Sequence, residues 1–146
     1  MEETLKAIES NLYKSELTFP FLRERLLAAG EIRAWYRYYR GGNQWAKQFF
    51  KEENIFLMEK VIIWNRISED GQMSIHSFRL DEIAKVERSY AFPGKNKEKL
   101  VLSQVIVTFN AMREKQQRDD LLFKRPKIEE DGDVEGFEKF ASLLDY

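Results

Sequence analysis

The chain has 146 residues, no cysteine, one histidine and a formal net charge of −1. That length suits one domain with a real core, and 43% hydrophobic with 14% aromatic residues argues against disorder. Without cysteine there is no thiolate nucleophile, disulfide framework, iron–sulfur cluster or cysteine-based zinc site, and the near-neutral charge argues against a nucleic-acid coat.

The opening residues Met1-Glu2-Glu3-Thr4-Leu5-Lys6 are acidic and carry no apolar signal core. No run approaches the ~20 apolar residues of a membrane span. Both features lead us to expect a cytoplasmic chain that does not insert into a bilayer. From Glu2 to about Glu16, Leu5, Ile8 and Leu12 recur at helical spacing. Pro20 suits the first turn of a second helix, in which Phe21, Leu22, Leu26 and Leu27 make one apolar stripe and Gly30 ends the segment. Ile32, Trp35, Tyr36 and Tyr39 fall at i, i+3, i+4, i+7, which predicts a helix over Glu31–Arg40 ending at Gly41-Gly42, although the aromatic content also suits a strand. Trp45–Lys51 stays open: Trp45 and Phe49 lie one helical step apart, yet Phe49-Phe50 would suit a strand.

After Asn54 the pattern changes. Ile55–Met58 and Val61–Trp64 are β-branched, aromatic and bulky, and Asp70-Gly71 is a hairpin turn of the Asp-Gly type. Met73 to Leu80 alternates as a half-buried strand, and Asp81–Tyr90 suggests another. Phe92–Lys97 reads as a loop. Leu100–Phe109 is the clearest strand, with Leu100 and Leu102, then Val105, Val107 and Phe109, on one side. Arg113–Arg118 is a polar connection, Leu121–Phe123 a short strand stopped by Pro126, and Lys127–Asp133 a polar loop. In Val134–Leu144, Phe137, Phe140, Ala141 and Leu144 form a helical stripe with Asp133 as N-cap.

The expected class is therefore α+β: N-terminal helices, a strongly bent antiparallel sheet or partly open barrel, and a C-terminal capping helix. We expect one domain over residues 1–146, with 1–44 a helical extension and 45–146 the β-rich part. The bulky strand Asn54–Trp64, the Asp70-Gly71 turn, Phe78-Arg79-Leu80-Asp81-Glu82-Ile83, the strands Leu100–Phe109 and Leu121–Lys124, and the helix Asp133–Leu144 carry a resemblance. In that order they resemble the pleckstrin-homology-like fold, its bacterial members in particular, including small proteins of Bacillus-type bacteria. The resemblance implies a bent sheet of about seven strands plugged by the last helix, and a binding rather than catalytic role. The N-terminal helices are no part of that minimal layout.

Candidate chemistry is sparse. His76 is the sole imidazole, on the polar phase of a strand, with no nucleophile-elbow sequence around any serine. The carboxylate groups Asp81-Glu82, Asp119-Asp120 and Glu129-Glu130-Asp131 each border a turn or helix start, where acids are expected anyway. Asp131, Asp133, Glu135 and Gly136 copy four positions of a calcium loop, but Ser142 stands where the bidentate glutamate belongs. No phosphate-cradling glycine motif is present around Gly41-Gly42 or Pro93-Gly94-Lys95. No catalytic residue, metal site or cofactor is therefore expected.

Two basic segments are the binding candidates. Between Pro20 and Lys51 seven basic residues meet two acids, whereas Lys127–Tyr146 carries seven acids and two bases. Arg33, Trp35, Arg37, Tyr38 and Arg40, with Trp45 nearby, have the residue types of protein interfaces. The same residues also fit a packed element whose arginine stems cover apolar surface. The first expectation is a non-enzymatic domain that recognises another protein or its own copy through this segment. The alternative is a module that binds an anionic lipid or phosphate ligand through the loop lysines Lys95, Lys97 and Lys99. Lipid-binding pleckstrin-like domains place their basic residues between the first strands, so the resemblance does not carry over to this later loop.

Overall fold

The computed structural model describes residues 1–39, 50–68, 72–92, 99–110, 120–126 and 133–144. Two helices open the chain, α1 (Glu2–Asn11) and α2 (Ser15–Ala29). Strands β1 (Ile32–Tyr39), β2 (Phe50–Met58), β3 (Val61–Ser68) and β4 (Met73–Arg79) form one sheet in that order. Strands β5 (Ile83–Ala91), β6 (Val101–Phe109) and β7 (Leu121–Lys124) form a second, and α3 (Val134–Leu143) ends the fold. Every strand pairing is antiparallel. The class is α+β, as expected, but the bent sheet is divided in two and does not close. The division falls at a single 3-10 turn, Leu80–Glu82, whose Leu80 amide donates to the Lys60 carbonyl at 2.9 Å.

The central strands of the four-stranded sheet, β2 and β3, are covered on both faces. On one face Ala34, Tyr36, Ile55, Leu57 and Ile62 share a core with Val105, Val107 and Phe123 of the second sheet and with Phe137 and Phe140 of α3. On the other, Phe56, Met58, Ile63 and Ile67 meet Leu5, Ile8, Phe19, Leu22 and Leu26 of the helix pair. A strand covered on both sides has no polar phase, which is why β2 and β3 read as near-continuous apolar runs.

This two-sided burial corrects the helix predicted over Glu31–Arg40: the segment is strand β1. A bulge between Ile32 and Ala34 shifts the register against β2. It puts Ile32 and Trp35 on the helix-pair side, and Ala34, Tyr36 and Tyr38 on the other. One extra residue and two buried faces turn a period of two into spacings of three and four, which imitates a helix.

The helix pair also differs from expectation. Its break comes at Lys14, the single non-glycine residue with positive φ (49°) among the described residues. Thr18 hydroxyl donates to the Tyr13 and Lys14 carbonyls there, at 3.0 and 3.1 Å. The helix then runs through Pro20, which sits a turn inside rather than in the first turn. The proline withholds the amide that Glu16 carbonyl would accept, at an exposed position where water can replace it. The stripe Phe21, Leu22, Leu26, Leu27 is split: Leu22 and Leu26 are buried, while Phe21 and Leu27 are exposed. Gly30 ends α2 with φ of +99°, as its position suggested.

Elsewhere the local signals hold. The break in alternation between Leu102 and Val105 is a β-bulge: Ser89 pairs with Gln104 and Tyr90 with Leu102, so Ser103 has no opposite residue. Asp133 caps α3, its carboxylate accepting from the Gly136 amide at 2.9 Å. β3 and β4 pair as a hairpin, with the Ser68 amide donating to Gln72 carbonyl at 2.8 Å. The readings on Gly41-Gly42, Asp70-Gly71, residues 93–97, 113–118 and 127–132 lie outside the described residues. No helix among the described residues is long and apolar enough to cross a membrane.

Candidate functional site

β1 carries most of the segment singled out as a contact surface, and its register decides what each side chain does. Trp35 stacks on Phe56 beneath the helix pair, with ring centroids 6.1 Å apart. Tyr38 packs partly buried against the other core. Arg37 lies on the helix-pair side, where its guanidinium donates to the Asn11 carbonyl at 2.6 Å, at the end of α1. Its Nε also stands 3.7 Å from Oε1 of Glu52, whose side chain is fully buried. Arg33 is exposed. Arg40 and Trp45 lie outside the described residues. The structure therefore commits Trp35, Arg37 and Tyr38 to contacts within the chain and leaves Arg33 at the surface.

Glu52 is the centre of a buried polar row. Its Oε2 accepts from the Tyr13 amide at 2.9 Å, in the connection between α1 and α2. Desolvation raises its pKa above the usual carboxylate value, and hydrogen bonds from Tyr13 and Asn54 and the charge of Arg37 oppose that rise. The row continues sideways: Asn54 donates to Asn65 at 3.1 Å, and Asn65 to the Ser74 carbonyl at 3.4 Å. Glu52, Asn54 and Asn65 therefore tie the helix pair to three strands. On the opposite face Arg66 donates to buried Glu53 at 3.0 Å and lies 4.9 Å from the Trp64 ring. None of Glu52, Glu53, Asn65 and Arg66 belongs to a recognisable motif in the sequence. The available signal was Glu52-Glu53-Asn54 leading directly into Ile55–Met58, three polar residues inside what pairing makes a central strand.

The other singled-out groups lie at the surface or in local pairs. His76 is exposed on β4 and stacks near Phe78, with centroids 6.3 Å apart. Asp81 pairs with Arg79 at 2.6 Å, and Asp120 accepts from the Thr108 hydroxyl at 2.8 Å. Among the described residues no group of three His, Cys, Asp or Glu side chains could hold a metal ion. Of the loop lysines, Lys99 is exposed, and Lys95 and Lys97 lie outside the described residues.

Two apolar surfaces stand out once the cores are assigned. The outer face of α2 presents Leu17 and Phe21, 70% and 63% exposed, with Pro20 and Leu27 beside them. The mouth of the β5–β6 hairpin presents Tyr90, Phe92 and Leu100, 58%, 50% and 55% exposed.

The fold defines a class: an α+β domain of two antiparallel sheets with a helix pair on one side and a terminal helix on the other. Compared with protein-family models, curated proteins and solved structures, the chain has no match.

Proposed function

We propose that the chain is a cytoplasmic, non-enzymatic binding domain of pleckstrin-homology-like layout, and that it recognises another protein or a second copy of itself through the outer face of α2. One observation carries this reading. α2 buries Phe19, Leu22 and Leu26 on one side and also exposes Leu17, Phe21 and Leu27, with Glu16, Arg23, Glu24 and Arg25 among them at the surface. A helix with one solvated face needs no second apolar stripe, and contiguous exposed apolar surface marks association sites. The 4-plus-3 strand order with a C-terminal helix supports the layout. Nucleic acid stays outside the proposal because the net charge is −1.

The test is the pair Leu17→Glu and Phe21→Glu. Both side chains lie outside the cores, so stability should change by no more than about 0.5 kcal/mol. Light scattering should show any self-association lost, and affinity capture should lose partners that an exposed control, Lys85→Glu, retains. An unchanged set of captured proteins and an unchanged mass would contradict the proposal.

A second reading keeps an anionic lipid or phosphate ligand at Lys95, Lys97 and Lys99. It is favoured by the exposed Tyr90, Phe92 and Leu100 beside Lys99, since interfacial binding combines apolar insertion with about 1 kcal/mol per basic residue. It predicts co-sedimentation with phosphatidylserine vesicles at low salt, weakened in Phe92→Ser and in Lys99→Glu. No sedimentation at low salt removes it.

A further inference from the structure

We propose that β4 is the self-association edge of this protein: two copies join β4 to β4, antiparallel, about a two-fold axis at His76. The four-stranded sheet of one copy then continues into that of the other. Four strands end a sheet among the described residues, β1, β4, β5 and β7. Open edges are normally blunted by shortness, charge, proline, a bulge or a covering element. Three of these four are guarded in that way. α3 covers β1, where the Arg37 carbonyl accepts from the Asp133 amide at 2.9 Å and the Trp35 carbonyl lies against Gly136. β5 carries Lys85, Glu87 and Arg88 between two register shifts. β7 is four residues long and runs into Pro126. β4 has none of these guards. It is seven residues long, pairs with β3 without a register shift, and holds no lysine, arginine, aspartate, glutamate or proline from Met73 to Phe78.

The pairing with β3 fixes which backbone groups are free. At the two ends of the β3–β4 ladder the Ser68 amide donates to the Gln72 carbonyl and the Leu80 amide to the Lys60 carbonyl. Backbone direction alternates along a strand, so Ser74, His76 and Phe78 bond to β3, while Met73, Ile75, Ser77 and Arg79 turn N–H and C=O to the outer edge. Among the described residues no hydrogen bond reaches those outer groups. Side chains leave the edge clear, with Met73 and Ile75 packed on the helix-pair face and Phe78 on the other. A second copy is the occupant this strand fits. A charged peptide would find no counter-charge from Met73 to Phe78, and Arg79 already pairs with Asp81 at 2.6 Å. The register centred on His76 pairs the whole strand with itself: Met73 meets Arg79 of the second copy, Ile75 meets Ser77, and His76 meets its own counterpart. All four outer residues then form reciprocal hydrogen-bonded pairs, and the His76 pair is of the non-hydrogen-bonded kind, with Cα atoms about 4.5 Å apart. Such a contact is isologous and closes at two copies, leaving the guarded edges outermost.

This narrows the reading above: the second copy takes β4, and the outer face of α2, which shares no residue with it, is left to another protein. The test is sedimentation of the full chain over a dilution series. The wild type should approach twice 17.4 kDa when concentrated and dissociate on dilution. In Ser77→Pro the lost amide is an outer one, so pairing with β3 survives and the dimer does not. His76→Lys alone and His76→Glu alone place like charges opposite each other and should shift to monomer, while an equimolar mixture of the two should recover the dimer. The amides of Ile75 and Ser77 should exchange more slowly in concentrated than in dilute wild type. Leu17→Glu/Phe21→Glu should keep the dimer. A wild type that is monomeric at every concentration, a dimer that survives Ser77→Pro, or charge variants that fail to recover on mixing would overturn the proposal. A dimer lost in Leu17→Glu/Phe21→Glu and kept in Ser77→Pro would put the contact between copies on α2 and overturn it equally. If Ser77→Pro fails to fold, the mixing of the His76 variants decides.

Discussion

Replacing Gly136 with alanine is expected to cost about 3 kcal/mol of folding stability, despite alanine's intrinsic helix advantage of about 1 kcal/mol over glycine. An added Cβ would lie 2.3 Å from the Trp35 carbonyl oxygen and 2.8 Å from the Tyr36 Cβ. Neither neighbour is the free end of a flexible chain, so α3 itself would have to lift off β1. That movement opens the largest aromatic cluster in the core, where Tyr36 meets Phe137 edge-on at 5.4 Å and Phe140 at 5.6 Å, and Phe140 meets Phe123 at 5.0 Å. It also separates the Asp133 amide from the Arg37 carbonyl, 2.9 Å apart. Urea unfolding gives the measurement. A midpoint at or above that of the wild type would mean that α3 does not pack on β1.

Removing the charge of Arg37 should have the next largest effect. Arg37→Met keeps the aliphatic stem but leaves fully buried Glu52 without its cation and the Asn11 carbonyl without its donor. Stranding one member of a buried ion pair costs about 3–5 kcal/mol. The 3.7 Å separation, the partial exposure of Arg37 and the option for Glu52 to take up a proton lower the expected loss to about 2–3 kcal/mol at neutral pH. Adding Glu52→Leu should recover part of that loss, since an apolar residue replaces a buried charge. A double variant as unstable as the sum of the singles would contradict the pairing.

The same residue fixes a pH dependence. Burial raises the Glu52 pKa, so the folded chain holds this proton to higher pH than the unfolded chain does. Between the ordinary value of 4.5 and the raised one, folding takes up a proton. The Glu52 contribution is therefore fully present below the ordinary value and lost as pH rises through the folded one. Glu52→Gln should remove that slope. Arg37→Met, by deleting a charge that holds the pKa down, should extend the window to higher pH.

Most of the β-rich part was legible because its signals are local. Asp133 with the Phe137, Phe140, Ala141 and Leu144 stripe announced α3, and the apolar run Leu100–Phe109 announced β6, although the bulge at Ser103 emerged only from its pairing with β5. β1 was misread because its residues answer to two layers that the segment itself does not contain. Ile32 and Trp35 face α1 and α2, whereas Ala34 and Tyr36 face α3 and the second sheet. The candidate surface moved for the same reason. Arg37 and Trp35 have the composition of an interface, but an interface inside the chain. Phe21 and Leu27 blended into one stripe with Leu22 and Leu26 until the burial of Phe19, Leu22 and Leu26 showed which side of α2 was already taken.

Everything assigned to the surfaces depends on the basic aromatic segment being spent inside the sheet, and nuclear Overhauser contacts along β1 address that most directly. Outward-facing Trp35 and Arg37 make non-hydrogen-bonded pairs with Phe56 and Asn54, the kind in which Cα atoms approach to about 4.5 Å. Strong Hα–Hα contacts from Trp35 to Phe56 and from Arg37 to Asn54 are the predicted result. Contacts from each Hα to the amide three residues on, throughout Ile32–Tyr39, would restore a helix there and free those side chains for a partner.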